Sequence, residues 1–229
     1  MISSRIGEKP GPIDLFLNPI SAATAPRRSY GPRRLALQQI VGSFADCLLK
    51  HDASMMAKFV GCKIIHLLSN VGHANPPRMG HRNFPLRSHM DAVCEASKLL
   101  GPELTSIGCG LIALMDDLDW YRGQSGAYAS VNFADGHAHA ILVGPGGLEE
   151  RSDVRMGVTL LAPYTRFPDH WLTYSRVILP ISQGEFRIET GEWQRVEPGS
   201  LQFHPTGHPI AIRCTSKPFL ALWAQKLSV

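Results

Sequence analysis

No apolar run in this chain approaches the ~20 residues that a helix needs to span a bilayer, because Lys63, His66, Asp116, Asp117 and Asp119 break the most hydrophobic stretches. A helical membrane span is therefore not expected. The opening stretch MISSRIGEKPGPIDLFL lacks the uninterrupted apolar core of a secretory signal, since Arg5, Glu8 and Lys9 and two prolines interrupt it. A cytoplasmic location is the expectation. The five cysteines, Cys47, Cys62, Cys94, Cys109 and Cys214, are odd in number and form no CxxC pair, which argues against a disulfide framework and a zinc–cysteine site and for free, mostly buried thiols. Charge of one sign is also scarce. The net value is +4, and Arg27, Arg28, Arg33 and Arg34 are interleaved with proline and glycine, with no aromatic platform or recognition helix beside them. A solvated leader, not a nucleic-acid arm, is expected there. No internal repeat is present.

What the chain does have is 44% apolar content over 229 residues, enough for a sizeable core. Three regions differ in texture. Residues 1–34, rich in Pro, Gly, Ser and Arg, read as a flexible leader. Residues 35–119 read as helical: Leu35, Leu37, Ile40, Val41, Phe44 and Leu48 recur at three- and four-residue spacing and share one helix face. A second helix is predicted over 53–68, a proline-containing connection over 70–88, and a third helix over 88–100, stopped by Gly101 and Pro102. Residues 120–229 read as short strands, including HAHAILV, MGVTLLAP, SRVILPI, EFRIE and PFLALWA, cut by Gly- and Pro-containing turns. That punctuation predicts a mainly β barrel or sandwich and not alternating βαβ units. Within it, Glu149, Glu150 and Arg151 read as a solvated turn.

The sharpest local signal is Gly199 followed at fixed distance by Pro205, Thr206 and Gly207, a tight turn between two strands in which proline presets φ and glycine accepts a positive one. This spacing resembles the second cupin motif, whose metal-binding histidine position is occupied here by Ile210, with His208 two residues too early. The first cupin motif carries two histidines at alternate positions, a glutamate and a closing glycine. Alternate strand positions share a face, so such a pattern aims its ligands at one cation. His170 fits the first histidine and Gly184 the glycine; the second histidine falls on Leu172, and the glutamate on Arg176 or Val177.

The stretch FADGHAHAILVGPGGLEERSDVRMGVTLLAP, followed by FPDH, GEFRIETGEW, the PTG turn and KPFLALW, resembles the cupin family of bacterial dimethylsulfoniopropionate (DMSP) lyases. The resemblance implies a cupin double-stranded β-helix (jelly-roll) barrel preceded by an α-helical segment. It also implies removal of a proton alpha to the substrate carboxylate with expulsion of dimethyl sulfide, supported by a divalent metal and pocket tyrosines. The tyrosine positions hold Phe167 and either Ile178 or Leu179.

These residues define the expectations. His170, His204, His208 and Tyr174 are the candidate catalytic groups, and Phe167, Arg176, His139 and Trp171 the candidate substrate-binding groups. No metal is expected; His170 would ligate one only in a site rebuilt with His137, His139 or His208. His137 and His139 are otherwise read as hydrogen-bonded structural histidines. The expected function is that of a lyase or isomerase acting on a small polar substrate without the usual metal site; the alternative is a non-catalytic barrel that binds a small molecule. A small-molecule ligand is the expected partner, with no nucleic acid and no membrane, and a homodimer is left open.

Overall fold

The computed structural model describes residues 31–50, 53–76, 84 and 86–227. The reading of a flexible leader over residues 1–30 lies outside the described residues.

The helical layer comprises α1 (Leu35–Lys50), α2 (Met55–Leu68), α3 (Arg87–Ser97) and α4 (Pro102–Leu114), followed by the single turn α5 (Phe133–Gly136). The apolar face expected of α1 is the one that is buried: Leu37, Ile40, Val41, Phe44 and Leu48 enter the core. Leu35 does not, and lies 75% exposed. Ser54 caps α2 by accepting from Ala57 N at 3.2 Å. The pair Gly101–Pro102, expected only as a stop, also starts a helix. Gly101 has φ 118°, a conformation costly for other residues, and Pro102 takes the first helical turn, where its missing N–H is harmless.

The strands are β1 (His73–Ala74), β2 (His137–Val143), β3 (Glu149–Glu150), β4 (Val154–Leu161), β5 (Arg166–Trp171), β6 (Arg176–Pro180), β7 (Gly184–Ile188), β8 (Gln194–Val196), β9 (Gln202–His204), β10 (Pro209–Arg213) and β11 (Phe219–Lys226). They form a seven-stranded sheet, ordered β1-β3-β2-β4-β11-β6-β9, and a four-stranded sheet, ordered β5-β10-β7-β8. Among the described residues only β2 and β3 pair in parallel. The PTG turn forms as read, with Gly207 at φ 82° between β9 and β10.

Period-two alternation divides the large sheet between two cores. Ala138, Ala140, Met156, Val158, Leu160, Val177, Leu179, Leu220, Leu222 and Ala224 point to the helices. Ile141, Leu161, Ile178, Phe219, Ala221 and Trp223 point the other way and meet Phe167, Phe186, Ile210 and Ile212 of the small sheet. The barrel interior is this second core. Trp223 fits because residue 157 is glycine; a Cβ there would lie 2.4 Å from its ring.

Two expectations near the start of the barrel are corrected. Glu149 and Glu150 form β3, not a solvated turn, and Glu149 is 3% exposed. Its carboxylate accepts from Arg33 Nε at 2.6 Å and NH2 at 2.8 Å, while Arg33 also donates to the carbonyl of Leu68 at 2.8 Å. Arg34 pairs with Asp117 at 2.7 Å. These two arginines tie the chain before α1 to the β-layer and to the end of the helical layer and are not part of a solvated leader. A buried pair stripped of one member leaves an uncompensated charge. Glu149→Ala is therefore expected to lower the unfolding free energy by about 3 kcal/mol or more; urea titration showing a loss below about 1 kcal/mol would place the pair among the weak surface bridges.

Candidate functional site

Several inward positions of the barrel are polar. His137, His139, Thr159, His170, Arg176, His204 and Gln225 are all buried, none more than 3% exposed. Strand phase puts them there: in β6, Val177 and Leu179 are claimed by the helical core, so Arg176 and Ile178 must face inward. Of the two residues that the motif spacing offers for the glutamate, Arg176 faces the interior and Val177 the helices; of Ile178 and Leu179, Ile178 faces inward.

Backbone pairing places the remaining positions. His170 on β5 stands directly opposite Ile210 on β10. The histidine of the first motif and the position of the second motif's ligand are cross-strand neighbours, close enough for two ligands of one cation, but the second is an isoleucine. Leu172 is 1% exposed and packs in the same interior core. The four positions therefore supply one imidazole, two alkyl groups and one guanidinium.

The hydrogen bonds assign tautomers. His137 donates from Nδ1 to the carbonyl of Phe133 and accepts at Nε2 from Gly123 N at 2.7 Å, which makes it a neutral structural group, as read from the sequence. Its ring stacks on Phe133 with centroids 3.8 Å apart. His170 donates from Nδ1 to the carbonyl of Pro168 at 3.0 Å, so Nε2 is its basic nitrogen. His139 Nδ1 and Trp223 Nε1 meet the same hydroxyl, Thr159 Oγ1, at 2.9 and 3.1 Å. Arg176 donates from Nε and NH2 to Oε1 of Gln225 at 3.0 and 2.7 Å and lies over the Trp223 ring at 4.1 Å. Phe167 sits among the rings of His139 and His170, with centroids 5.3 and 4.9 Å away.

Other candidates lie elsewhere. His208 is in the turn and bonds Glu189 at 2.6 Å, both side chains about half exposed. Trp171, the last residue of β5, is 39% exposed, and Tyr174, on the segment joining β5 to β6, is partly exposed. The structure brings together His139, Phe167, His170, Arg176 and His204, and does not bring His208 to them. Sequence reading missed Thr159, Trp223 and Gln225. The first and last are polar residues in apolar strands, in phase with the inward positions, and that phase is the signal that identifies them.

The imidazoles are neutral. Burial pushes His170 down to about 3, with Arg176's charge acting in the same direction and the Pro168 carbonyl opposing. Burial also holds His139 and His204 well below the ordinary value, and protonation is opposed further at His139 by His137, Arg176 and His170 and at His204 by His170 and Arg176. Arg176 acts on all three rings, so they share one electrostatic environment.

A divalent cation does not fit this donor set. Among the described residues no three His, Cys, Asp or Glu side chains are placed to hold a metal, and the guanidinium of Arg176 repels a cation.

The DMSP lyase family model matches residues 62–221, and the chain belongs to that family. The DMSP lyase DddQ of Ruegeria pomeroyi is 29% identical over 104 residues, which cover 45% of this chain and 52% of that protein, so the match spans about half the length of this curated relative. The crystal structure of the same lyase superposes with a TM-score of 0.62 at 23% identity, covering 85% of this chain and 92% of that one. A crystal structure from a report on the lyases RdDddP and RnDddQII gives 0.60 at 16% identity, covering 84% and 93%. At these identities the superpositions establish the fold, a cupin barrel behind a helical layer. Among the described residues no helix is long and apolar enough to cross a membrane.

The lowered histidines make a prediction about stability. Between about pH 6.5, where a solvated histidine titrates, and about 3, the unfolded chain holds a proton on His170 that the folded chain does not. Stability therefore rises with pH across this window and is lost as pH falls below the unfolded value, by roughly 1.4 kcal/mol per pH unit for each such histidine. Urea unfolding between about pH 7 and pH 5 should show this slope, and His170→Gln should make it shallower; a flat wild-type profile contradicts the assignment.

Proposed function

We propose that this chain is a metal-independent member of its family that acts as a lyase or isomerase on a small polar substrate enclosed in the barrel. One observation carries the reading: a neutral imidazole, His170, shares the interior with a fixed cation, Arg176, at the positions where the family's pattern has a histidine and a glutamate. Neutral His170 can accept a proton at Nε2 from the carbon next to a carboxylate. The C–H bond breaks as N–H forms, and the released pair either expels a leaving group from the neighbouring carbon or returns with a proton at another position. Arg176 stabilises the negative charge that develops. A base whose conjugate acid titrates near 3 is weak, and an anionic substrate that offsets the field of Arg176 strengthens it.

Phe167 and Ile178, where the resemblance places tyrosines, favour the second reading, a barrel that binds its ligand without turning it over. DMSP lyase chemistry itself should be negligible, since these positions offer no phenol base and the ligand positions do not hold the Lewis acid.

Two assays separate the readings. Headspace detection should find almost no dimethyl sulfide released from DMSP, with or without added divalent metal. Proton NMR in D2O should show exchange of the α-protons of 3-hydroxypropionate by chelator-treated protein, falling about 100-fold in His170→Ala. Rapid metal-dependent dimethyl sulfide release overturns the proposal. Binding without exchange supports the second reading.

A further inference from the structure

We infer that the row Arg155, Gln225, Arg176 and His204 across the inner face of the large sheet is a carboxylate-binding site that stands in place of the family's metal. This deepens the reading of a small-molecule site and rests on it.

The register makes the row. Gln225 on β11 is paired with Arg155 on β4 and with Arg176 on β6, and Arg176 is paired with His204 on β9. All four fall on one face. Trp223 and Thr159, in phase with Gln225 and Arg155, already point inward, while Met156 and Ala224 go to the helical core. Directly paired residues have Cβ atoms roughly 5 Å apart, so the two arginines flank the amide of Gln225 at about 10 Å from each other.

The orientation of that amide follows from chemistry. A guanidinium only donates, so Oε1 of Gln225 must face Arg176, and Nε2 is the other end. Gln225 is fully buried, and its Nε2 has no hydrogen-bond partner among the described residues; the same holds for the buried Nε of Arg155. Buried donors are ordinarily paired, and two left over on one row point to an acceptor that the protein itself does not supply. The groups offered are guanidinium N–H, amide N–H and the ring of His204, donors without a carboxylate or a metal-binding set among them. That pattern selects an anion. A planar carboxylate accepts two parallel bonds from the fork of a guanidinium, which Arg155 offers; the Nε and NH2 of Arg176 are given to Gln225, so Arg176 contributes its charge. Arg155 is only partly buried, whereas Arg176 is 1% exposed, so Arg155 marks the end of the row from which a ligand enters.

Isothermal titration of the chelator-treated full chain with propionate, propionamide and inorganic phosphate tests this without requiring turnover. Propionate should bind about tenfold more tightly than its neutral isostere propionamide. Arg176→Met should weaken propionate about tenfold or more, with Arg176→Lys intermediate because it keeps the charge and loses the two bonds that orient Gln225. Circular dichroism checks that these variants fold, and Arg155→Gln, altered at the partly exposed end, provides an independent loss of affinity if they do not. Equal affinity for propionate and propionamide, preference for phosphate, no saturable binding at about 10 mM, or unchanged binding in folded Arg176→Met and Arg155→Gln each overturns the inference. A chain that binds propionate but exchanges no α-proton retains this site and loses only the catalytic reading.

Discussion

The large sheet has to satisfy two cores at once, and this constraint fixes both the strand register and the chemistry of the barrel interior. In β2, β4, β6 and β11 the residues facing the helices are Ala, Val, Leu and Met, and the residues facing the barrel include histidine, threonine, arginine, tryptophan and glutamine. A slip of one residue in any of these strands would drive charged and aromatic groups into the helical layer and empty the barrel. The register is therefore rigidly specified, and it leaves Arg176 no position except the interior. What would be an expensive burial of charge elsewhere is held here by the Gln225 carbonyl and the face of Trp223.

That placement sets the electrostatics of the barrel. Burial keeps His139, His170 and His204 in the neutral form, and the fixed positive charge of Arg176 acts in the same direction. A carboxylate in the position of Arg176 would favour protonated rings or a bound cation; a guanidinium favours neutral rings and a bound anion. The interior of this barrel is thus an environment for an anion more than for a cation, and the isoleucine opposite His170 and the buried Leu172 add no ligand for a metal.

Much of the fold was legible in the sequence because it is written in periodicities. The apolar spacing of α1, the alternation in PFLALWA and the PTG turn each specify local geometry that the tertiary structure keeps. The second role of Gly101 and Pro102 was not legible, since a residue pair that stops one helix and starts another sends the same signal in both cases. Nor was the burial of Glu149, whose partner Arg33 lies more than a hundred residues away in a segment with the composition of a leader. For the site, His170 and its non-ligand companions could be placed from motif spacing, whereas the choice between Arg176 and Val177 required knowing which face the helices cover. Arg155, Thr159 and Gln225 carry no motif at all; they become significant only through strand pairing.

Arg176 beside His170 disfavours a bound cation in this barrel. Elemental analysis after purification without chelators and in the presence of added divalent metals addresses it directly. Far less than stoichiometric metal is expected in the wild-type chain, with a rise in retained metal in Arg176→Glu, which places a carboxylate in the same interior. Close to one tightly held metal per chain in the wild type, lost in His170→Ala, would contradict it.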